Sequence, residues 1–220
     1  MILALDTSTA LTSAAVIDDD GTVVVERMHE DARRHAEAIG PMIADVVGAV
    51  PRTAVSTVAC GVGPGPYTGL RVAIASAIAI GAAWDVPVVG LCSLDALAAQ
   101  VLSERADGQG VEVCSDARRS EVYWASYDTD GMRLAGPRVR AASTVGASVV
   151  RGMPHAAWVG RRVLTLQAAG IVVSDVALPL DEHGTDTGAT ARAMSGMQLL
   201  PPRPLYLRNP DAMTPRGDQP

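Results

Sequence analysis

Short apolar runs separated by turn residues open the chain. Residues 2–5 and 11–17 are apolar, and Asp6 with three hydroxyl-bearing residues separates them. The acidic stretch 18–21 ends in an Asp-Gly pair, which is typical of a tight turn, and a β-branched run at 22–26 follows it. This pattern predicts three antiparallel strands at the start of the chain.

The apolar spacing then changes to a helical period. One helical face at spacings of three and four is predicted for Ile39, Met42, Ile43, Val46, Val47 and Val50. Pro41 lies inside this helix and should kink it or begin its regular part. A strand at 57–60, a helix at 68–84, a strand at 87–91 and a helix at 93–104 capped by Ser93 complete the first half.

The opening pattern returns in the second half, after the polar, glycine-rich stretch 107–110. Asp6 precedes Gly21 by 15 positions and Asp116 precedes Gly131 by the same 15, so the two halves are offset by 110 residues. A duplicated unit explains this spacing, although Asp-Gly turns are common enough for coincidence to stay open. We therefore expect domains at 1–106 and 107–212 and a disordered tail at 213–220.

Beyond its opening strands the second half shows shorter patterns. Helices are predicted at 144–150, at 163–169 and from 186 or 187 to 200, and strands at 156–160 and 171–173.

Composition excludes several kinds of chemistry. The chain is 48% hydrophobic, has a net charge of −6, and all 18 of its basic residues are arginine. Without lysine it has neither a Walker A phosphate-binding lysine nor an amine for Schiff-base chemistry. The acidic balance also argues against a chain that grips nucleic acid unaided, because such affinity comes from neutralising phosphates.

Cysteine usage and hydropathy indicate a cytoplasmic chain. Cys60, Cys92 and Cys114 lie in or beside apolar runs, as buried small hydrophobes do in a reducing compartment. Met1 opens directly onto a strand, with no signal-peptide pattern. The longest apolar stretch, 72–84, is shorter than the roughly 20 residues of a membrane span, so we expect a buried helix and no membrane.

Four motifs carry a family resemblance: LALDTST (3–9), GVGPGPYTGLR (61–71), DARRSEVYWASYD (116–128) and PLYLR (204–208). In this order they resemble the TsaB proteins, which belong to the acetate/sugar kinase, heat-shock chaperone and actin (ASKHA) superfamily. The resemblance implies an α/β fold of two tandem actin-like, ribonuclease-H-like halves. Each half is expected to hold a mixed five-stranded type of sheet with flanking helices.

The same resemblance implies a non-catalytic scaffold subunit. Such a subunit binds TsaD, and with it TsaE, for the transfer of threonylcarbamoyl from threonylcarbamoyl-AMP to N6 of adenosine 37 in tRNAs that read ANN codons. It reaches tRNA only through the complex, forms a homodimer when alone, and has no cofactor of its own, with ATP or ADP at the TsaD interface left open. The alternative is a free-standing ATP-dependent phosphotransferase or hydrolase of the same superfamily.

The two turns that hold nucleotide in working superfamily members are degenerate here. The first contains Asp6 and Ser8 but no glycine, and the second, after Asp116, carries the bulky Arg118 and Arg119 where phosphate approaches the backbone. Phosphate binding through the arginine side chains remains the alternative. For Asp6 we favour a strand-end residue that caps its own turn over a catalytic carboxylate.

Neither a metal site nor a catalytic nucleophile is predicted. The four histidines, at positions 29, 35, 155 and 183, include no pair four residues apart, and the chain has no HExxH, Cys-x-x-Cys or G-x-S-x-G motif.

The helix at 68–84 is apolar on every side and should be covered on every side. The resemblance assigns the partner or homodimer interface to residues of this helix and of the first helix: His35, Ile39, Met42, Leu70, Arg71, Ile74, Ala77 and Ile78. A core helix wholly enclosed by its own domain is the alternative. Aspartate at Ile74 or Ile78 is expected to abolish TsaD association without unfolding the chain.

The glycine-rich stretch 61–71 is expected to orient this helix. Gly63-Pro64-Gly65 suits a type II turn, and Thr68 is the predicted N-cap. A phosphate at the helix N-terminus is not excluded by the sequence.

Overall fold

The computed structural model of the chain describes residues 1–173 and 198–207. The first half has the predicted order of strands and helices, with the largest shift at the end of the third strand. Its elements are β1 (Ile2–Asp6), β2 (Leu11–Ile17), β3 (Val23–Glu30), α1 (His35–Gly48), β4 (Thr57–Gly61), α2 (Tyr67–Trp84), β5 (Val88–Leu91) and α3 (Ser93–Glu104). Pro41 lies within α1.

The second half opens with three strands and continues with a short strand and a helix. Its elements are β6 (Val111–Asp116), β7 (Glu121–Tyr127), β8 (Arg133–Ala141), β9 (Val150–Arg151) and α4 (Ala156–Ala168). The predicted helix at 144–150 is wrong, because the chain there forms one 3-10 turn, Ala142–Thr144, and then enters β9.

The strand predicted at 156–160 and the helix predicted at 163–169 are one helix, α4. Its buried positions recur at helical spacing: Ala156, Val159, Val163 and Leu166. The predicted helix from 186 or 187 and the predicted tail at 213–220 lie outside the described residues, except that Leu199 and Leu200 form isolated β-bridges and no helix.

The two sheets have equivalent strand orders. The first has the order β3-β2-β1-β4-β5, with β1 antiparallel to β2 and parallel to β4. The second has the order β8-β7-β6-β9, with β6 antiparallel to β7 and parallel to β9. Five strands are thus confirmed for the first half, whereas the sheet of the second half has four strands among the described residues.

The predicted repeat is confirmed at its landmarks. Asp6 ends β1 and Asp116 ends β6. Gly21 and Gly131 occupy equivalent turns with φ of 86° and 73°, in the left-handed region that favours glycine. The two halves therefore begin with the same strand–turn–strand–turn–strand unit.

The first sheet is covered on both faces, which explains why β1 and β2 are buried along their whole length. Leu3 and Leu5 belong to the cluster that contains α1 and α2, and the alternating Ile2 and Ala4 pack with α4. A Cβ on Gly160 would lie 2.5 Å from Ile17 Cγ1, so glycine lets α4 approach the sheet.

Across the predicted boundary at 106/107, each half packs one of its helices on the sheet of the other half. This boundary separates the two sheets, but α4 packs on the first sheet and α3 packs on the second. Asp95 of α3 is buried and accepts hydrogen bonds from Arg133 Nε (2.9 Å) and from the hydroxyl of Tyr127 (2.7 Å). This network fixes α3 to the second sheet.

Candidate functional site

The turn after β1 is closed by its own aspartate. Asp6 is buried, and its Oδ1 accepts hydrogen bonds from the backbone N–H (2.8 Å) and the hydroxyl (2.7 Å) of Ser8, while its Oδ2 accepts one from Ser93 Oγ (2.7 Å). Burial raises the pKa of Asp6, and the hydrogen bonds oppose that shift only in part. Asp6 thus caps its own turn, as the favoured interpretation predicted.

Ser93 has a different task from the predicted one. It is the first residue of α3, and the N-cap position belongs to Cys92. Its hydroxyl donates to Asp6 and accepts from the backbone N–H of Gly63 at 3.2 Å. The residue therefore joins α3 to the turn after β1 and to the glycine-rich stretch.

The glycines of the stretch 61–71 pack against the turn after β1. Side chains on Gly61 and Gly65 would overlap Asp6 and Ser8, and a Cβ on Gly69 would lie 2.6 Å from the carbonyl oxygen of Thr7. These glycines serve packing against a neighbouring turn of the same chain. The stretch thus orients α2, as predicted.

The details of that stretch differ from the prediction. Its positive φ falls at Gly63 (105°) and not at Gly65, where a type II turn requires it, so the predicted type II turn is wrong. Pro66 is the N-cap of α2, which begins at Tyr67, so Thr68 is already a helical residue.

The equivalent turn of the second half has an unusual backbone. Asp116 Oδ1 accepts a hydrogen bond of 3.2 Å from the N–H of Arg118, matching the bond that Asp6 makes with Ser8. Arg118, Arg119 and Ser120 have φ values of 60°, 53° and 58°. A left-handed conformation costs about 1–2 kcal/mol for such residues, so this turn is strained.

A cleft of about 1010 Å³ lies between the two halves. The two turns contribute Thr9, Ala10, Asp116 and Arg118 to its wall, and Asp6, Ser8 and Arg119 do not line it. The structure therefore brings Asp116 and Arg118 to the cleft, and it buries the first-turn carboxylate beneath the surface.

His35 lies on the wall of this cleft and not on the outer surface of α1. It is buried, and its Nδ1 is 2.7 Å from the hydroxyl of Thr12. Burial lowers its pKa, which favours the neutral ring. Its burial on the cleft wall contradicts the assignment of His35 to the partner interface.

Most of the predicted interface residues are enclosed by their own half. Five of the eight are buried: His35, Ile39, Leu70, Ile74 and Ala77. They are corrections to the predicted set, because side chains that their own half encloses are not accessible to a partner. Met42 is half-buried, and Arg71 and Ile78 are exposed, with 47% of Ile78 accessible.

The exposed side of α2 is nevertheless apolar. Its exposed residues from the second turn onward, here named the α2 outer face, are Arg71, Ala75, Ile78, Ala79, Ala82 and Ala83. By length and composition alone α2 could cross a membrane, but its inner residues pack on the first sheet. Arg71 is the one charged residue of the helix.

An aromatic cluster that the sequence analysis missed lies at the start of α2. The rings of Tyr67 and Tyr206 stack at 4.8 Å between centroids, and the guanidinium of Arg71 lies 3.8 Å from the Tyr67 centroid. Arg71 Nε donates a hydrogen bond of 3.1 Å to the Tyr206 hydroxyl. Each tyrosine lies in a quoted motif, but their separation along the chain hid the contact.

Metal and thiol chemistry find no support in the described part of the chain. There, no three His, Cys, Asp or Glu residues lie close enough together to hold a metal ion. All three cysteines are buried, as expected, and burial raises the pKa of Cys60 and Cys92 to about 12, so their thiols stay protonated.

Two halves with a repeated strand order, and a cleft bounded by their two equivalent turns, define the ASKHA class of fold. Residues 22–161 match the family model described as "TsaD: tRNA N6-adenosine threonylcarbamoyltransferase". The chain belongs to this family as a member of its TsaB (YeaZ) type, on the similarities that follow.

An uncharacterized protein of Mycobacterium tuberculosis is 40% identical over 220 residues, covering 96% of this chain and 93% of that protein. The tRNA threonylcarbamoyladenosine biosynthesis protein TsaB of Escherichia coli is 36% identical over 135 residues, covering 59% of this chain and 55% of that protein. YeaZ from Pseudomonas aeruginosa superposes with a TM-score of 0.66 at 26% identity, covering 77% of this chain and 92% of that structure.

Proposed function

We propose that the chain is an accessory subunit in the synthesis of threonylcarbamoyladenosine in tRNA. It binds TsaD, and with it TsaE, and supports the transfer of threonylcarbamoyl from threonylcarbamoyl-AMP to N6 of adenosine 37 in tRNAs that read ANN codons. The names of its TsaB relatives support this pathway. A subunit of this kind acts in the cytoplasm, reaches tRNA through the complex and performs no chemistry itself.

The α2 outer face is the observation that carries the proposal. It presents Ala75, Ile78 and Ala79 to solvent on a helix whose single charge is Arg71. An exposed apolar surface of this kind is typical of a protein–protein interface. TsaD binds this face in the complex, and a second copy binds it when the chain is alone.

A non-catalytic role agrees with the first turn. In ASKHA enzymes this turn meets nucleotide phosphates, whereas here the N–H of Ser8 is bonded to Asp6 and the carboxylate of Asp6 is buried. The purified chain is expected to show no ATP hydrolysis, and ATP or ADP at the junction with TsaD stays open. Turnover by the chain alone would favour the phosphotransferase or hydrolase alternative.

Nucleoside mass spectrometry tests the proposal. Depletion of the chain in its own organism should remove threonylcarbamoyladenosine from tRNA, and the wild-type gene should restore it. Ile78→Asp should fail to restore it, because the charge disrupts the α2 outer face. Leu134→Asp is the matched control, since Leu134 is 60% exposed on β8, and it should restore the modification. An unchanged nucleoside level after depletion contradicts the proposal.

A further inference from the structure

Arg71, at the edge of the α2 outer face, is held in place by neighbouring side chains. One side of its guanidinium covers the Tyr67 ring, and its Nε is bonded to the Tyr206 hydroxyl. Leu205, beside Tyr206, is buried and donates a 2.7 Å hydrogen bond to the carbonyl oxygen of Val62. Two segments far apart in the chain thus fix one exposed arginine.

We propose that this fixed guanidinium binds a carboxylate of the protein that docks on the α2 outer face. The inference rests on the proposed function, in which that protein is TsaD. Among the described residues, Arg71 stacks on Tyr67 and donates from Nε to Tyr206, and a planar guanidinium in this position can offer its two terminal nitrogens to a carboxylate as a bidentate pair. Within residues 1–173 and 198–207, no carboxylate forms an ion pair with it.

Preorganisation makes Arg71 an effective anchor. A free arginine loses side-chain entropy when it binds, whereas the contacts with Tyr67 and Tyr206 already restrict this one. Arginine and tyrosine are also the residue types over-represented among the residues that dominate binding energy at interfaces. The cluster therefore has the composition and the rigidity of an interface anchor.

The surroundings favour a protein carboxylate over an RNA phosphate. Arg71 borders the apolar Ala75 and Ile78, which exclude water when a partner covers them and so strengthen an ion pair with Arg71. The chain as a whole carries a net charge of −6, which repels a polyanion but leaves a local ion pair intact.

Binding of purified full-length variants to TsaD tests the inference. Arg71→Ala should weaken the affinity roughly 30-fold or more, as expected when one partner of a desolvated charge pair is removed. Arg71→Lys keeps the charge but not the planar group, so most of that loss should persist. Tyr206→Phe removes the acceptor for Nε and should give a smaller loss. Arg52→Ala, at an exposed arginine outside α2, is the matched control and should bind as wild type.

A charge exchange then identifies the carboxylate. Among single Asp or Glu→Arg variants of TsaD, one should restore binding to Arg71→Glu and to no other variant of the chain. Wild-type affinity of Arg71→Ala, measured where Ile78→Asp fails to bind, overturns the inference and leaves the proposed function intact. If Arg71→Ala weakens the binding of tRNA to the complex but not the binding of TsaD, the ligand of Arg71 is an RNA phosphate. This result also overturns the inference. If Ile78→Asp also binds normally, the proposed interface itself is wrong.

Discussion

The hydroxyl of Thr7 donates a 2.6 Å hydrogen bond to the carbonyl oxygen of Gly69 and accepts a 3.2 Å bond from the N–H of Ala73. One side chain of the turn after β1 thereby joins the backbone of α2 at two successive turns of the helix. In this way the turn after β1 positions the helix that carries the proposed interface.

Thr7→Val keeps the shape of the side chain and removes these two bonds. We expect the free energy of unfolding to fall by about 1–2 kcal/mol, because a buried polar contact is lost. Urea unfolding monitored by circular dichroism measures the change. Thr53→Val, at an exposed threonine, should stay within about 0.5 kcal/mol of wild type. Equal effects of the two substitutions would mean that the Thr7 contact contributes nothing.

Aspartate at Ile74 and at Ile78 should have opposite consequences. Ile74 is 4% exposed, so Ile74→Asp buries an unpaired charge and should cost about 3–5 kcal/mol of stability. Ile78→Asp should leave the unfolding transition nearly unchanged and abolish co-purification with TsaD. Thermal unfolding and pull-down of both variants separate the two effects. A destabilised Ile78→Asp chain would contradict the assignment of its outer position.

The Asp95–Arg133 pair holds α3 on the second sheet. Arg133→Met leaves the buried Asp95 carboxylate without its cation, and the free energy of unfolding should fall by about 3–5 kcal/mol. The triple variant Asp95→Leu, Tyr127→Phe, Arg133→Met replaces these three polar side chains with apolar ones and should recover most of that loss. Chemical denaturation compares the two, and a triple variant less stable than Arg133→Met would contradict the argument.

Asp6 should make stability depend on pH. Burial raises its folded pKa above the ordinary 3.8, so between 3.8 and the folded pKa the folded chain holds a proton that the unfolded chain releases. Its contribution is thus most favourable at low pH, falls as pH rises through that window, and then stays constant.

Asp6→Asn removes this titration. Its amide oxygen can accept from Ser8 as Oδ1 does, and its NH2 group can donate to Ser93 Oγ in place of the bond that Oδ2 accepts. The difference in free energy of unfolding, wild type minus variant, should decrease as pH rises from 3.8 and then level off. Urea unfolding at a series of pH values from 3.5 to 8, about one every half pH unit, measures this difference in free energy. A difference that grows with pH would contradict a raised pKa.

Local pattern predicted the first half well and the second half poorly. The alternation in β1 and the turn glycines at 21 and 131 are local signals, and both are confirmed. In α4, Gly160 interrupts the apolar spacing, so a strand and a helix were predicted for one helix. The glycine makes sense only beside Ile17, more than a hundred residues earlier in the chain, which no local window includes.

The residues predicted for the interface show the same limit of local sequence patterns. Because α2 is apolar on every side, its periodicity could not decide which side faces the sheet, and Leu70 and Ile74 were placed on the wrong one. The contact between Tyr67 and Tyr206 joins positions 139 residues apart by chain number. Neither the inward face of α2 nor this tyrosine contact can be predicted from hydrophobicity alone.

The sequence by itself determined the repeat, the order of the early elements, the absence of lysine chemistry and the motifs that carry the TsaB resemblance. Each of these is written in residue type and spacing. The tertiary structure alone decided that Asp6 is enclosed, that α3 and α4 exchange halves, and that Arg71 is fixed at the edge of an apolar face. The physical reason is that burial and preorganisation arise where distant segments meet, and side-chain packing selects which face each helix turns inward.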